Sequence, residues 1–337
     1  MLRRSLVTIA AALALVQPAA ADEVAEFFAG KTIRISSAGG PGASLALYAR
    51  TLSEHMGRHI PGNPSLLVDF RTGAGGVVAA SYLYNAAPKD GTAFAVLLPP
   101  SVTLPLLQPS KFDATKFYWL GSMTPRPAVV SVFNDAPATT LEKLKTTEVI
   151  LGSTGKGSET YLVPQFMNVV LGTKFKIVTG YKAGDDVNLA MERGEVHGRM
   201  QYWTGWTTIK QGWLKEGKLV HITQYGPAIK DIPNVPPLRE LVKTAEEKAM
   251  VQFLEVAQNV GMAFALPPDV PPARAAALRK AFVATMADPA LHEDAKKRNM
   301  DLELVPGEKL EQIIMSAYAT PKPVVEKLRE IVGFETQ

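Results

Sequence analysis

Past residue 30 the chain is written in short apolar runs, each closed by a glycine turn and followed by a helical stripe. Residues 31–37, centred on Thr32-Ile33-Arg34-Ile35, form a β-prone run that Gly39, Gly40 and Gly42 break, and apolar positions then recur at helical spacing over 45–56. The unit repeats at once. A second run at 66–70 meets a second glycine turn at 73–76, a helix is predicted over 77–85, and a third run follows at 93–98. Strand-to-helix units this closely spaced predict a parallel sheet with right-handed crossovers and helices on its faces.

The pattern changes partner across 119–133, where Pro125 and Pro127 precede a strand at 129–133. A short helix at 141–144, a strand at 149–153, the turn Gly155-Lys156-Gly157 and a helix over 160–171 restate the same unit. A strand at 176–179, a helix at 186–193 and strands at 196–201 and 219–224 continue it. Proline and glycine cluster over 226–237, and helices are predicted at 273–286, 289–299 and 309–318. The reading is an α/β protein of two lobes, each a mainly parallel sheet flanked by helices, joined by crossover strands. Lobe 1 takes 22–125 plus about 227–305 and lobe 2 takes 126–226 plus about 306–337, with a ligand cleft between them. No solenoid-period repeat and no low-complexity segment interrupts this order.

The first residues follow another logic. Arg3 and Arg4, an apolar run over 6–16 and an A-x-A site at Ala19 and Ala21 form a secretory signal peptide, with cleavage after Ala21 leaving Asp22 as the new N-terminus. A buried N-terminal helix would need neither the basic start nor the small-residue stop. The run is shorter than the roughly 20 residues that span a bilayer, and without cysteine no lipid anchor forms. Cleavage removes two arginines, so Lys+Arg falls from 36 to 34 against 32 acids and the net charge from +4 to +2. No basic run tracks a phosphate backbone, so nucleic acid is not an expected partner. The mature protein is expected to be soluble, monomeric and periplasmic; a chain of this length needs no disulfides.

Chemistry is expected at three glycine turns, 39–44, 73–76 and 153–158, because a strand opening into a helix offers free backbone N–H groups and a positive dipole end to an anion. Gly40-Pro41-Gly42-Ala43-Ser44-Leu45 lacks the third glycine of a dinucleotide fingerprint, and Pro41 removes an amide where pyrophosphate would bind. In the turn that ends at Ser158, Lys156 is followed by Gly157 instead of the hydroxyl a P-loop uses for magnesium. No G-x-S-x-G is present. His55 and His59 stand one helical turn apart, but no H-E-x-x-H accompanies them, so neither metal nor cofactor is expected. Arg199, beside His197 in a β-prone run, needs an anionic partner, either a ligand or an internal acid.

The ordered blocks around these turns resemble the substrate-binding receptors of tripartite tricarboxylate transporters, the Bug-type periplasmic binding proteins. The resemblance is carried by Lys31-Thr32-Ile33-Arg34-Ile35, by Arg71-Thr72-Gly73-Ala74-Gly75-Gly76, by Ala86-Ala87-Pro88-Lys89-Asp90-Gly91-Thr92 and by Leu151-Gly152-Ser153-Thr154-Gly155-Lys156-Gly157-Ser158. Tyr181-Lys182-Ala183-Gly184, Gly194-Glu195-Val196, Asp231-Ile232-Pro233-Asn234-Val235-Pro236 and Ala287-Asp288-Pro289 follow in family order. It implies a Venus-flytrap receptor that closes on a small organic carboxylate and delivers it to membrane permease subunits. By motif the ligand contacts are Gly40, Gly42, Ala43, Ser44, Gly73, Ala74, Gly75 and Gly76 from one lobe, with Pro100 and Ser101 beside them. Ser153, Thr154, Gly157, Ser158 and Tyr181 come from the other, and Arg199 and Trp203 are added as candidates of this chain.

The chain departs from the family in two places. Ala46 stands where many members carry an acid, and Gln201-Tyr202-Trp203 with Trp206 replace smaller or acidic residues. The two tryptophans either line a pocket for an aromatic or branched acid or pack the second lobe. Other functions compatible with the same cleft are an exported α/β hydrolase and a binding protein that serves a sensor kinase.

Overall fold

The computed structural model describes residues 17–334. The basic pair and the apolar run of the expected signal peptide lie outside the described residues. The helix Gln17–Phe28 spans the expected cleavage point, and Val24 and Phe28 pack into the first core.

Among the described residues eleven strands form two sheets: β1 Thr32–Ser37, β2 Ser65–Phe70, β3 Ala93–Val96, β4 Tyr118–Ser122, β5 Ala128–Phe133, β6 Val149–Ser153, β7 Phe175–Thr179, β8 Gly198–Tyr202, β9 Leu219–Tyr225, β10 Ala263–Leu266 and β11 Val305–Pro306. The first sheet runs β11-β4-β10-β3-β1-β2 and the second β7-β6-β8-β5-β9. Alternation explains β1, where Ile33 and Ile35 are buried while Thr32 and Arg34 face out. All four residues of β3 and of β10 are buried, as central strands covered on both faces must be. The helix Ser44–Met56 buries Leu45, Tyr48, Ala49, Leu52 and Met56, a single apolar stripe.

The parallel units lie where the glycine turns place them: β1 pairs in parallel with β2 and β3, and β6 with β7 and β8. Each sheet is completed by strands next to the crossovers, which run antiparallel. β10 pairs that way with β3 and β4, and β5 with β8 and β9. Both sheets are therefore mixed, flanked by helices.

The lobe boundaries fall differently from the expected partition. The chain crosses to the second sheet through 123–127, but residues 227–256 stay with the second core through Leu238, Val242, Met250, Phe253 and Leu254. The return is made by the helix Ala245–Val260, whose last turn, Ala257 and Val260, enters the first core just before β10. Thr244 and Glu247 start that helix with a capping box: Thr244 Oγ1 accepts from the Glu247 amide at 3.1 Å and Glu247 Oε2 from the Thr244 amide at 2.9 Å. Likewise the helix Gly307–Tyr318 buries Leu310 and Ile314 in the first core and reaches the second only in its last turn, through Ala317, after which Lys322–Val332 packs there. The proline-rich stretch at 226–237 is a surface turn, not the crossover.

The two crossovers lie side by side. Met123 donates its amide to Met262 O at 3.1 Å, Met262 to Thr124 O at 2.9 Å and Arg126 to Gln258 O at 2.9 Å. Gly261, at φ +66, sits where a Cβ would come within 2.1 Å of Thr124 O, so only glycine lets these segments touch.

Candidate functional site

At the carboxyl ends of both sheets, four strand-to-helix turns face one space. After β1 the chain turns through 39–43 into Ser44–Met56, and after β2 Gly73, Gly75 and Gly76 lead into Val77–Asn85. From the second lobe, the turn after β6 leads through Ser158 into Glu159–Phe166, and the turn after β7 leads through Lys182 and Ala183 into Gly184–Glu192. Each N-terminus leaves amide donors without acceptors in its own helix and presents a positive dipole end. The empty space between them, its open mouth included, is about 690 Å³.

The lobes press together at glycines. A Cβ on Gly75, at φ +65, would lie 2.7 Å from the Ser158 amide nitrogen, and one on Gly42 would lie 3.1 Å from Asp185 Oδ2. The turn after β6 is braced from within. Thr160 Oγ1 accepts from the Thr154 amide at 3.1 Å and hydrogen-bonds Ser153 Oγ and Ser158 Oγ at 2.9 Å each, while Ser158 Oγ caps the helix by accepting from the Thr160 amide at 3.2 Å.

Of the residues expected at a ligand, Gly42, Ala43, Ser44, Gly73, Gly75, Gly76, Thr154, Ser158 and Arg199 line this cleft. The others stand behind or beside it. Gly40 closes its turn by accepting from the Ala43 amide at 2.9 Å, and Ala74 is exposed. Pro100 and Ser101 are buried beyond Leu98, which lines the cleft in their stead. Ser153 holds the Gly155 amide at 3.2 Å, Gly157 packs against Leu104 and Gln108, and Tyr181 covers Gly152. Trp203 donates from Nε1 to Asp231 Oδ2 at 3.0 Å and, with the fully buried Trp206, belongs to a separate core of the second lobe.

Arg199 is committed to its own lobe. Its Nε donates to Met200 O at 3.0 Å, and its Nη1 donates to Asn188 Oδ1 at 3.1 Å and to Gly184 O. The side chain thus ties the N-terminus of Gly184–Glu192 to β8, and burial brings its pKa down to about 10.

The cleft also holds groups that the motifs did not indicate. Lys182, Asp185, Asn188, Gln201 and Tyr202 line it, and so does Arg126 from the Pro125-Arg126-Pro127 crossover. Arg126 is 2% exposed, its guanidinium lies 3.5 Å from the centre of the Tyr202 ring, and Nη2 donates to Ser44 Oγ at 3.3 Å. Its Nε and Nη1 are buried without an acceptor, as is Asp185 Oδ1 without a donor. The one available signal in the sequence was a charged residue between two prolines in an otherwise apolar crossover. Behind Arg126, Glu159 is buried with the tyrosines 202 and 225 and accepts from Gln258 Nε2 at 2.5 Å; burial pushes its carboxyl up to about 7.

The histidines lie elsewhere. His55 pairs with Asp294 at 3.1 Å and His59 with Asp288 at 2.8 Å. Glu54, His55 and Asp294 bring their ligand atoms within 4.8 Å of one another, but Arg298 already bridges the two acids. His197 Nδ1 accepts from the Ile150 amide at 3.0 Å, a link between strands. Ser131 Oγ and His221 Nδ1 meet at 2.8 Å, yet neither residue lines the cleft, and burial brings His221 down to about 4.

Comparison with known proteins agrees with this architecture. Residues 48–329 match the tripartite tricarboxylate transporter family receptor. A UPF0065 protein of Cupriavidus necator is 24% identical over 95% of this chain and 95% of its own length, and one of Bordetella bronchiseptica is 28% identical over 51% of this chain and 52% of its own. Among solved structures, the periplasmic binding protein BugD superimposes with a TM-score of 0.72 at 18% identity, covering 91% of this chain and 99% of that one. MatC of Rhodopseudomonas palustris with bound malate gives 0.67 at 16% identity, covering 90% and 99%. A second protein of that organism, with adipate, gives 0.68 at 16%, covering 90% and 97%. The family match across most of the sequence and the two-sheet fold that these structures share place the chain in the tripartite tricarboxylate transporter receptor family.

Proposed function

We propose that the protein is an exported receptor, cleaved after Ala21, that captures a small organic carboxylate between its lobes and hands it to the permease subunits of a tripartite transporter. The observation that carries this reading is the convergence of four helix N-termini on one cleft, two from each lobe. Such ends suit an anion, and an anion held by both pairs stabilises the closed form over the open one. The malate and adipate in the two structural neighbours belong to the same chemical class. Among the described residues no helix is long and apolar enough to cross a membrane, which fits a protein that must find its ligand before it finds its permease.

The test is a thermal-shift and calorimetric screen of ligand-depleted protein against mono-, di- and tricarboxylates, with product analysis of each mixture. Stabilisation without turnover supports the receptor. Turnover, or no stabilisation by any acid, overturns it. Uptake of the binding acid by cells with and without this gene tests delivery.

A further inference from the structure

We infer that Arg126 is the carboxylate clamp of this cleft and that the occupant carries, besides its carboxylate, a hydrogen-bond donor received by Asp185. The inference rests on the receptor reading and names the substrate class of the same site.

A guanidinium has five N–H donors, and taking it out of water is tolerated only when an anion or several acceptors replace the water. Arg126 is nearly fully buried, yet its one hydrogen bond through the side chain is the 3.3 Å contact to Ser44 Oγ. Its Nε and Nη1 have no acceptor, and the buried Glu159 behind it acts on it through space without a hydrogen bond to it. Nη2 has a second N–H besides the one given to Ser44, and with Nε on one edge or Nη1 on the other it completes a fork that receives both oxygens of a carboxylate side by side. Stacking on Tyr202 holds that plane, and the flanking prolines hold the backbone. A guanidinium fixed in place, with donors still unpaired, on a side chain that lines the cleft is what a carboxylate anchor requires.

Arg126 also explains how binding closes the lobes. It stands on a crossover, touches Ser44 of the first lobe and stacks on Tyr202 of the second. A carboxylate on its fork is within the same cleft as the first-turn amides of both lobes, so a single ligand head engages hinge and walls together.

The second half follows from the opposite deficit. Asp185 Oδ1 is buried, lines the cleft and accepts from nothing. It faces Gly40 and Gly42, with its oxygens 3.2 and 3.1 Å from where their Cβ atoms would be. A second ligand carboxylate there would meet like charge, whereas a hydroxyl, ammonium or amide N–H would satisfy the oxygen. The class is thus a hydroxy, amino or amido acid of small size.

Two measurements test this. On the unmodified protein, matched probes that differ only in the donor, malate and aspartate against succinate and lactate against propionate, are compared by calorimetry, each best binder also against its primary amide. The donor-bearing acid is expected to bind at least tenfold tighter than its bare partner, and the amide of its carboxylate at least a hundredfold weaker. The same probes are then applied to Arg126→Lys, with its melting temperature measured in parallel. A folded Arg126→Lys is expected to lose at least thirtyfold in affinity, because an ammonium keeps the charge but not the fork. Bare and donor-bearing acids binding alike would overturn the role of Asp185. Acids binding to Arg126→Lys as to the unmodified protein, or amides binding as well as acids, would overturn the clamp and leave the receptor standing. Failure of every acid to bind would overturn the receptor reading and this inference together.

Discussion

The two walls of the cleft are made of different materials. The first-lobe wall is mostly glycine and alanine backbone, Gly39, Gly42, Ala43, Gly73, Gly75 and Gly76, while the second-lobe wall and the hinge present side chains, Lys182, Asp185, Arg199, Gln201, Tyr202 and Arg126. Backbone amides attract any anion that fits and allow close approach. Side chains choose among anions, because each orphaned donor or acceptor that the wrong ligand leaves unpaired costs about 1–3 kcal/mol. In the proposed receptor this difference makes affinity and selectivity separable, one for each wall.

Closing the gap that the glycine wall needs is the most severe way to break this division. Gly75→Val places carbon where the Ser158 amide must come, at a φ that branched side chains avoid, and closure is lost. Affinity should fall about 100-fold, near 3 kcal/mol, whatever acid is tested. A calorimetric titration that shows an unchanged constant would falsify the closed geometry.

On the side-chain wall, Arg199→Met removes three hydrogen bonds that serve the fold and not the ligand. It is expected to cost about 2 kcal/mol of stability, several degrees of melting temperature, with under about a tenfold loss of affinity. The reverse order, a stable protein that no longer binds, would return Arg199 to the ligand.

Glu159 sharpens the comparison by pH. Its folded carboxyl titrates at about 7, above its value in the unfolded chain, because burial disfavours the charge. The folded state therefore holds a proton that the unfolded state has released between about pH 4.5 and 7, so this group's contribution to stability is full below that window and is lost as pH rises through 7. Melting temperature is expected to drop by a few degrees between pH 5 and 8, and Glu159→Gln should flatten that slope. Parallel slopes for the two proteins would contradict it.

The smallest effect belongs to the rim. Lys182 is exposed at the cleft edge, and Lys182→Ala should slow association by about threefold at low salt and hardly at all at high salt. Stopped-flow rates at two ionic strengths decide the point.

How much of this was legible in the chain follows the same division. The first two glycine turns and Ser158 could be read because glycine after a β-run and a hydroxyl before a helix are local signals, and they lie in the cleft. Arg126 could not, since its importance comes from Ser44, 82 residues away, and from Tyr202 on another strand. The tryptophans misled for the mirror reason. Trp203 is spent on Asp231 and a core, and nothing within its own segment says which way β8 turns it. Misplaced lobe boundaries had a readable remedy, the capping box at Thr244 and Glu247, which announces the long helix that carries the chain back.

By itself, the sequence determined the α/β alternation, the positions of the turns, the family and the anion-ready character of the strand ends. All of these are set within one strand–turn–helix unit, where hydrophobic period, glycine and capping residues act over a few residues. Tertiary structure alone decided which turns meet, that a crossover arginine arrives among them with unpaired donors, and that Arg199 is used up by its own lobe. Those outcomes depend on crossovers that bring together residues far apart in the chain, and on a burial cost that exists only once water has been excluded from the closed cleft.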